Sequence, residues 1–161
     1  MPDDPTDAEI EAILLAADAE RWRELLAALA DLEAESERAD WDGGQEIRTT
    51  VVDASGRETL SLPYTEDSDA VRRTTKALYD LGAIVPFDWP HWEGRRRYRG
   101  SEGLESAPVA DAVRVATAII RQERFVTGAT RNALKDGILF AALRRLRQWH
   151  TDTIGPQPSG T

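Results

Sequence analysis

Asp88 has the most distinctive surroundings of any carboxylate in this sequence, because three aromatic residues flank it in Phe87-Asp88-Trp89-Pro90-His91-Trp92. Pro86 and Pro90 exclude a regular helix over residues 84–92, so Asp88 would be held in place under an aromatic cover. In the interpretation that we favour, Asp88 caps the following turn or forms a buried ion pair with Arg121 or Arg124. Removal of one partner of a buried pair leaves an unpaired charge, so Asp88→Ala would then cost about 3–5 kcal/mol of stability.

The same residues also suggest a ligand pocket. Aromatic rings would stack on a planar ligand, and arginine side chains would bind its anionic end. The candidate ligand-binding residues are Asp88, Trp89, Trp92, Arg121 and Arg124. A catalytic role for Asp88 as general base is a third interpretation, but the sequence offers no evident partner acid or nucleophile for it.

A second group of residues has the composition of an anion site. Thr127, Gly128, Thr130 and Arg131 lie where a short helix is predicted to begin, and helix N-termini bind anions through free backbone N–H groups. The spacing matches neither the P-loop nor the dinucleotide fingerprint. The simpler interpretation, which we favour, is that Thr127 is the N-cap of this helix.

The run Arg95-Arg96-Arg97-Tyr98-Arg99 is basic and contains one aromatic residue. Such a run can contact phosphates while tyrosine stacks on a base, which is typical of nucleic-acid binding. We favour the alternative that the run pairs with the acidic N-terminal helices, so nucleic acid is not the partner that we expect.

Metal binding and the common catalytic motifs have little support. The chain contains no Cys and only two His, His91 and His150, so a metal site would need several carboxylate ligands. The motifs G-x-G-x-x-G, G-x-S-x-G and S-x-x-K do not occur. We therefore expect no metal ion and no cofactor.

The net charge of −9 is unevenly distributed. Residues 1–42 contain fourteen acidic and three basic residues, whereas residues 95–147 contain twelve basic and five acidic ones. The charge thus argues less against anionic partners than its average suggests. We expect the acidic N-terminal helices to lie near the arginine-rich segments, in a contact that high salt weakens.

Apolar residues at three- and four-residue spacing predict helices in the acidic N-terminal part. Thr6 and Glu9 have the spacing of a capping box, and Asp18 would cap a second helix. That second helix carries the clearest apolar stripe, formed by Trp22, Leu25, Leu26, Leu29 and Leu32. We expect the stripe to pack in the core, whereas an exposed stripe would be a face for a protein partner.

A β-hairpin is predicted next, because two β-prone runs, 45–52 and 57–62, flank the turn Asp53-Ala54-Ser55-Gly56. Pro63-Tyr64 would end it, and an isolated hairpin is marginal in water, so it should pack on the helices. Four further helices are expected over residues 65–81, 106–123, 127–137 and 138–149, with a loop or short helix over 93–103.

Three elements in the second half of the chain have a distinctive order. They are F-D-W-x-x-W at 87–92, R-x-x-R-F-x-x-G at 121–128 and a closing helix that begins at Gly137-Ile138. The chain in this respect resembles an uncharacterised prokaryotic family, a domain of unknown function, over roughly residues 60–147. The resemblance implies one compact, mostly helical domain and no mechanism.

The sequence therefore predicts an α+β fold, predominantly helical, with about six helices and one β-hairpin packed on them. Residues 1–5 and 151–161 are expected to be disordered tails. The single domain over 6–150 would comprise acidic helices at 6–38, the hairpin at 45–62 and a helical part at 65–150.

The function that we infer is a cytoplasmic, non-catalytic binding or interaction domain with an aromatic–arginine pocket. One alternative is a small enzyme acting on an anionic or nucleotide-like substrate, and another is a protein-partner module that uses the acidic helices. The partner would be a small anionic ligand or a protein, and not a membrane, because no apolar run could span a bilayer.

Overall fold

Side-chain caps set the start of the first two helices in the computed structural model, which describes residues 3–47, 50–60, 64–98 and 101–155. Thr6 and Glu9 form the predicted capping box, with the Glu9 backbone nitrogen 3.2 Å from Thr6 Oγ1 and the Thr6 nitrogen 3.0 Å from Glu9 Oε2. Asp18 accepts a hydrogen bond from the Arg21 backbone nitrogen at 2.9 Å. Helix α1 therefore spans Asp7–Ala16, and α2 spans Ala19–Ser36.

Five more α-helices follow in the described part of the chain. They are α3 (Asp69–Leu81), α4 (Gly94–Arg97), α5 (Val109–Gln122), α6 (Ala129–Asp136) and α7 (Ile138–Thr153). Short 3-10 turns precede α4 and α5, at Trp89–His91 and Leu104–Ser106. Gly82 ends α3 and Gly137 ends α6, with φ of +86° and +89°, a conformation that costs glycine little.

Helix α3 begins four residues later than the sequence suggests. Residues 65–67 are predicted to be helical, but they belong to a strand, and the helix starts after Ser68, whose hydroxyl accepts a hydrogen bond from the Val71 nitrogen. The Ser68 hydroxyl also donates to Glu35 Oε2 at 2.7 Å. The N-cap serine sets the start of the helix, because its side chain satisfies a backbone N–H that the first turn of a helix leaves free.

The predicted hairpin is present and is longer than expected. Strand β2 (Thr50–Val52) pairs with β3 (Glu58–Leu60) across the turn Asp53–Gly56. Strand β1 (Gly44–Ile47) pairs with β4 (Tyr64–Asp67), with Gly44 opposite Asp67. Tyr64 thus continues the hairpin instead of ending it, whereas Pro63 lies outside the described residues. Both ladders are antiparallel.

In the described part of the hairpin, it is the base that packs on the helices. The Ser68 backbone nitrogen donates to the Gly43 carbonyl at 2.9 Å, and a side chain at Gly43 would meet Arg131 Cγ at 3.2 Å. At the outer end, Val51 and Val52 are 57% and 60% exposed. The turn is instead stabilised locally, because the Asp53 carboxylate accepts from the backbone nitrogens of Ser55 and Arg57.

The core lies between the helix pairs α2–α3 and α5–α7. The apolar stripe of α2 is buried there as predicted, apart from the half-buried Leu26. The Trp22 indole is 1% exposed, donates to the Leu14 carbonyl at 3.1 Å and stacks on Trp149 at 5.9 Å between centroids. The fold is thus predominantly helical α+β, and none of the described helices is long and apolar enough to cross a bilayer.

Candidate functional site

A surface cavity brings together three of the five predicted ligand-binding residues. It has a volume of about 310 Å³ and is lined by Val85, Pro86, Phe87, Trp89, Arg121, Arg124 and Phe125. The 3-10 turn supplies Trp89, and the end of α5 with the turn after it supplies the arginines and Phe125. The prolines of the 84–92 segment keep it irregular, which lets Phe87 and Trp89 lie against α5. We call this space the Trp89 cavity.

Aromatic and arginine side chains dominate the Trp89 cavity. Phe125 is 77% exposed, although it is large and apolar, and its ring centroid lies 6.3 Å from that of Trp89. Within the described residues, no carboxylate lies within ion-pair distance of Arg121 or Arg124. The cavity therefore offers stacking surfaces and two positive charges.

Asp88 does not line the Trp89 cavity, and the expected buried pair with Arg121 or Arg124 is wrong. Its side chain is 58% exposed and lies 2.9 Å from His91 Nδ1. Its backbone nitrogen donates to Asp4 Oδ1 at 3.0 Å. Asp88 therefore stays at the surface although aromatic residues flank it in the sequence. A hydrated carboxylate at the surface needs no buried partner.

Trp92 also lies apart from the Trp89 cavity, in a cluster of aromatic rings. It meets Phe87 edge-on at 5.8 Å between centroids and lies 6.3 Å from Tyr98. Its indole covers Gly94 so closely that a side chain at that position would meet the ring at 2.1 Å. The half-buried Trp92 is therefore a fixed wall between neighbouring surface cavities.

The described part of the basic run, residues 95–98, does not pair with the acidic N-terminal helices, contrary to expectation. Arg95 lies over the Trp89 ring, with Cζ 5.4 Å from the centroid, and donates to Gln122 Oε1 at 3.1 Å. Arg96 and Arg97 have no carboxylate within ion-pair distance among the residues described, and Arg99 lies outside those residues. The hydrogen bond to Gln122 and the cation–π contact with Trp89 hold Arg95 beside the end of α5.

Other arginines neutralise the acidic helices. Glu33 pairs with Arg144 at 3.1 Å and also with Arg147, so α2 contacts the arginine-rich α7 as the charge distribution predicts. Partial burial alone would raise the pKa of Glu33, but the hydrogen bonds and charges of Arg147 and Arg144 outweigh it, so this pKa lies below its usual value. Glu33 is thus paired with α7 and not with the arginines around the Trp89 cavity.

The four predicted anion-site residues lie together at the start of α6, but Glu123 occupies that helix end. Its carboxylate accepts from the backbone nitrogens of Gly128 at 2.9 Å and Thr130 at 2.8 Å. Thr127 is exposed and is not the predicted cap, because Gly128, with φ of +88°, takes the N-cap position without a side chain. Arg131 instead lies 3.2 Å from Asp67. The N–H groups that would bind an external anion already bind an internal one.

Residues 17–152 match a protein family described as a family of unknown function (DUF6508). The chain belongs to this family. The match covers α2 through nearly all of α7. It therefore extends beyond the region of roughly residues 60–147 on which the resemblance in the sequence rests, and it includes the acidic helix α2. No curated protein and no solved structure matches the chain.

The DUF6508 region contains a buried polar network that sequence reasoning missed. Asp111 is 7% exposed, accepts from the Tyr98 hydroxyl at 2.6 Å and pairs with Arg114 at 2.9 Å. Arg114 also reaches residues before the family match, pairing with Asp7 at 2.7 Å and donating to the Pro5 carbonyl at 3.1 Å. Burial raises the pKa of Tyr98, as does its hydrogen bond to Asp111. The signal in the sequence was Asp111 itself, because an acidic residue within the apolar helix pattern of 109–120 indicates a buried, paired carboxylate.

A second missed cluster in the DUF6508 region joins the hairpin to α6. Burial raises the pKa of Asp67, and the nearby Glu123 carboxylate raises it further against the opposing charges of Arg131 and Arg72. Arg131 Nε is buried and is not aligned for a hydrogen bond, although it is within ion-pair distance of Asp67. This cluster fixes the base of the hairpin to α6.

Among the described residues of the chain, no group of three or more His, Asp or Glu side chains could hold a metal ion. His91 pairs with Asp88 at the surface. His150 packs against the Trp22 ring at 4.7 Å, and burial lowers the pKa of this histidine.

Proposed function

We propose that this chain is a non-catalytic binding domain whose ligand is a small, planar anion held in the Trp89 cavity. The observation that carries the proposal is that one cavity brings two accessible rings together with two arginines, which have no carboxylate within ion-pair distance among the described residues. The rings would stack on the planar part, and the Arg121 and Arg124 guanidinium groups would bind the carboxylate or phosphate.

The lining of the cavity supports binding over catalysis. Its seven described residues are apolar, aromatic or arginine, and they include no carboxylate, hydroxyl or imidazole. Arginine remains protonated at neutral pH and does not serve as a general base. Asp88 is the residue that we considered as a general base, but its carboxylate contacts His91 and does not line the cavity.

The acidic helices give less support to a protein-partner module. Their main apolar stripe is buried, with Trp22, Leu25 and Leu29 each 1% exposed. Part of their charge is paired internally through Glu33 and Asp31. We further propose that the domain works in the cytoplasm, since a chain without Cys makes no use of an oxidising compartment.

The test is calorimetric titration at low salt with matched probes: adenosine monophosphate against adenosine, and indole-3-carboxylate against indole. We expect the anions to bind more tightly than their neutral counterparts. Arg124→Gln should weaken anion binding about tenfold, the typical effect of losing one charge-assisted contact.

Arg23→Gln is the matched control, because it removes the same charge from an exposed position on α2. This variant should bind like the unaltered protein. Equal affinity for charged and neutral probes, equal loss in both variants, or no binding of any probe would overturn the proposal.

A further inference from the structure

A second surface cavity is lined by Trp92 and differs in character from the Trp89 cavity. It has a volume of about 270 Å³, and its walls are formed by Trp92, Tyr98, Val115, Ala118, Ile119 and Ile138. We call it the apolar slot. Tyr98, Val115 and Ala118 are 4–6% exposed and form its buried side.

Two polar side chains stand on the more exposed side of the apolar slot. Arg95 is exposed and Gln122 is half-buried, and the Arg95 guanidinium donates to Gln122 Oε1 at 3.1 Å. Within the described residues, Arg95 has no carboxylate within ion-pair distance. A guanidinium over an apolar space favours an anionic head group and disfavours a cation.

The walls of the apolar slot are held in place before any ligand arrives. Trp92 is fixed between Phe87, Tyr98 and the backbone at Gly94. The Tyr98 hydroxyl is committed to Asp111 at 2.6 Å, which leaves only its apolar ring for the slot. Preformed walls reduce the entropy lost on binding, so a small ligand can gain measurable affinity here.

We propose that the apolar slot binds a small monocarboxylate with an aromatic or short acyl tail. The tail would fill the space between Trp92 and Ala118, and the carboxylate would replace Gln122 as the acceptor of the Arg95 N–H groups. The volume is sufficient, because a cavity of about 150 Å³ already holds benzene. The lining of this site shares no residue with that of the Trp89 cavity, although Arg95 contacts the Trp89 ring. The site does not depend on the function proposed for that cavity.

The test uses phenylacetate, with phenethyl alcohol as the neutral probe of matched size, in calorimetric titrations of the full chain. Arg95→Gln should weaken phenylacetate binding about tenfold and leave binding of the alcohol unchanged. Ala118→Leu should abolish binding of both, because the larger side chain fills the slot. Arg96→Gln, at the adjacent exposed arginine, is the charge-matched control and should have no effect.

Arg124→Gln separates the two cavities. If this variant weakens phenylacetate binding and Arg95→Gln does not, the ligand occupies the Trp89 cavity, and the inference about the apolar slot is overturned. Unchanged binding in a folded Ala118→Leu variant overturns it too, as does the absence of phenylacetate binding to the unaltered protein. Arg95→Gln lies at the surface, so its result stands even if Ala118→Leu does not fold.

Discussion

The Glu123 carboxylate caps a helix from five residues before its N-cap, with Oε1 2.9 Å from the Gly128 nitrogen. This contact replaces the local cap that a threonine at 127 would normally provide. Because the Gly128 and Thr130 nitrogens both donate to Glu123, they are no longer free to bind an external anion at the N-terminus of α6. The first prediction follows from that arrangement.

Glu123→Ala should lower the free energy of unfolding by about 1 kcal/mol, because two backbone donors lose their acceptor. Thr127→Ala is the matched control and should change it by less than about 0.5 kcal/mol, since the Thr127 side chain is exposed. Urea denaturation of both variants checks this. An equal loss in the two variants would show that Thr127 is the true cap.

Asp88→Ala should have little effect on stability, less than about 0.5 kcal/mol, because its pair with His91 is exposed. Asp111→Ala should lower the free energy of unfolding by about 1–3 kcal/mol, because the buried Tyr98 hydroxyl loses its acceptor, whereas Arg114 keeps Asp7 at 2.7 Å. Thermal and urea denaturation compare the two. A larger loss at Asp88 than at Asp111 would contradict the arrangement described above.

Glu33→Gln should destabilise the protein at neutral pH and low salt by up to about 1 kcal/mol, the usual range for partly exposed pairs. Because the pKa of Glu33 is lower in the folded state than in the unfolded state, its contribution is present above the unfolded pKa. That contribution is lost as the pH falls through the folded pKa. The two proteins should therefore converge in stability in acid.

High salt should also reduce the difference between Glu33→Gln and the unaltered protein, because the pairs with Arg144 and Arg147 are screened. Urea titrations over a range of pH and salt measure both effects. A difference that stays constant in acid would exclude ionisation of Glu33 as its source.

Gly94→Ala should displace the Trp92 indole, since the added carbon would lie 2.1 Å from the ring. The expected result is a changed tryptophan emission and a loss of stability of about 1–3 kcal/mol, the usual cost of overpacking. Gly103→Ala is the comparison, because open space surrounds that position and only its φ of +83° opposes alanine. It should alter stability by about 1 kcal/mol without changing the emission of Trp92.

Local patterns in the sequence were sufficient to predict most of the helices. Apolar spacing placed α2 and α7 in the core, and capping residues such as Asp18 marked where helices begin. Strand β4 was missed because four residues such as Tyr64–Asp67 carry little periodicity, and their partner strand is about 20 residues away.

The candidate site was only partly predictable because its contacts depend on distant segments. Trp89, Arg121 and Arg124 line one cavity, and their grouping was predicted because an aromatic segment and an arginine-bearing helix end are both visible in the sequence. The partners of Asp88 and Arg95 were not, because sequence order does not decide which of eighteen arginines approaches a given carboxylate. Side-chain pairing of this kind is set by helix packing.

The outer turn of the hairpin, Asp53-Ala54-Ser55-Gly56, offers a practical attachment point. Its residues are exposed, and none of them lines the Trp89 cavity or the apolar slot. Because the chain has no Cys, Ala54→Cys would create a single thiol for a fluorophore, a spin label or a surface tether. The protein could then be immobilised or labelled at one defined point while both cavities stay open to ligands.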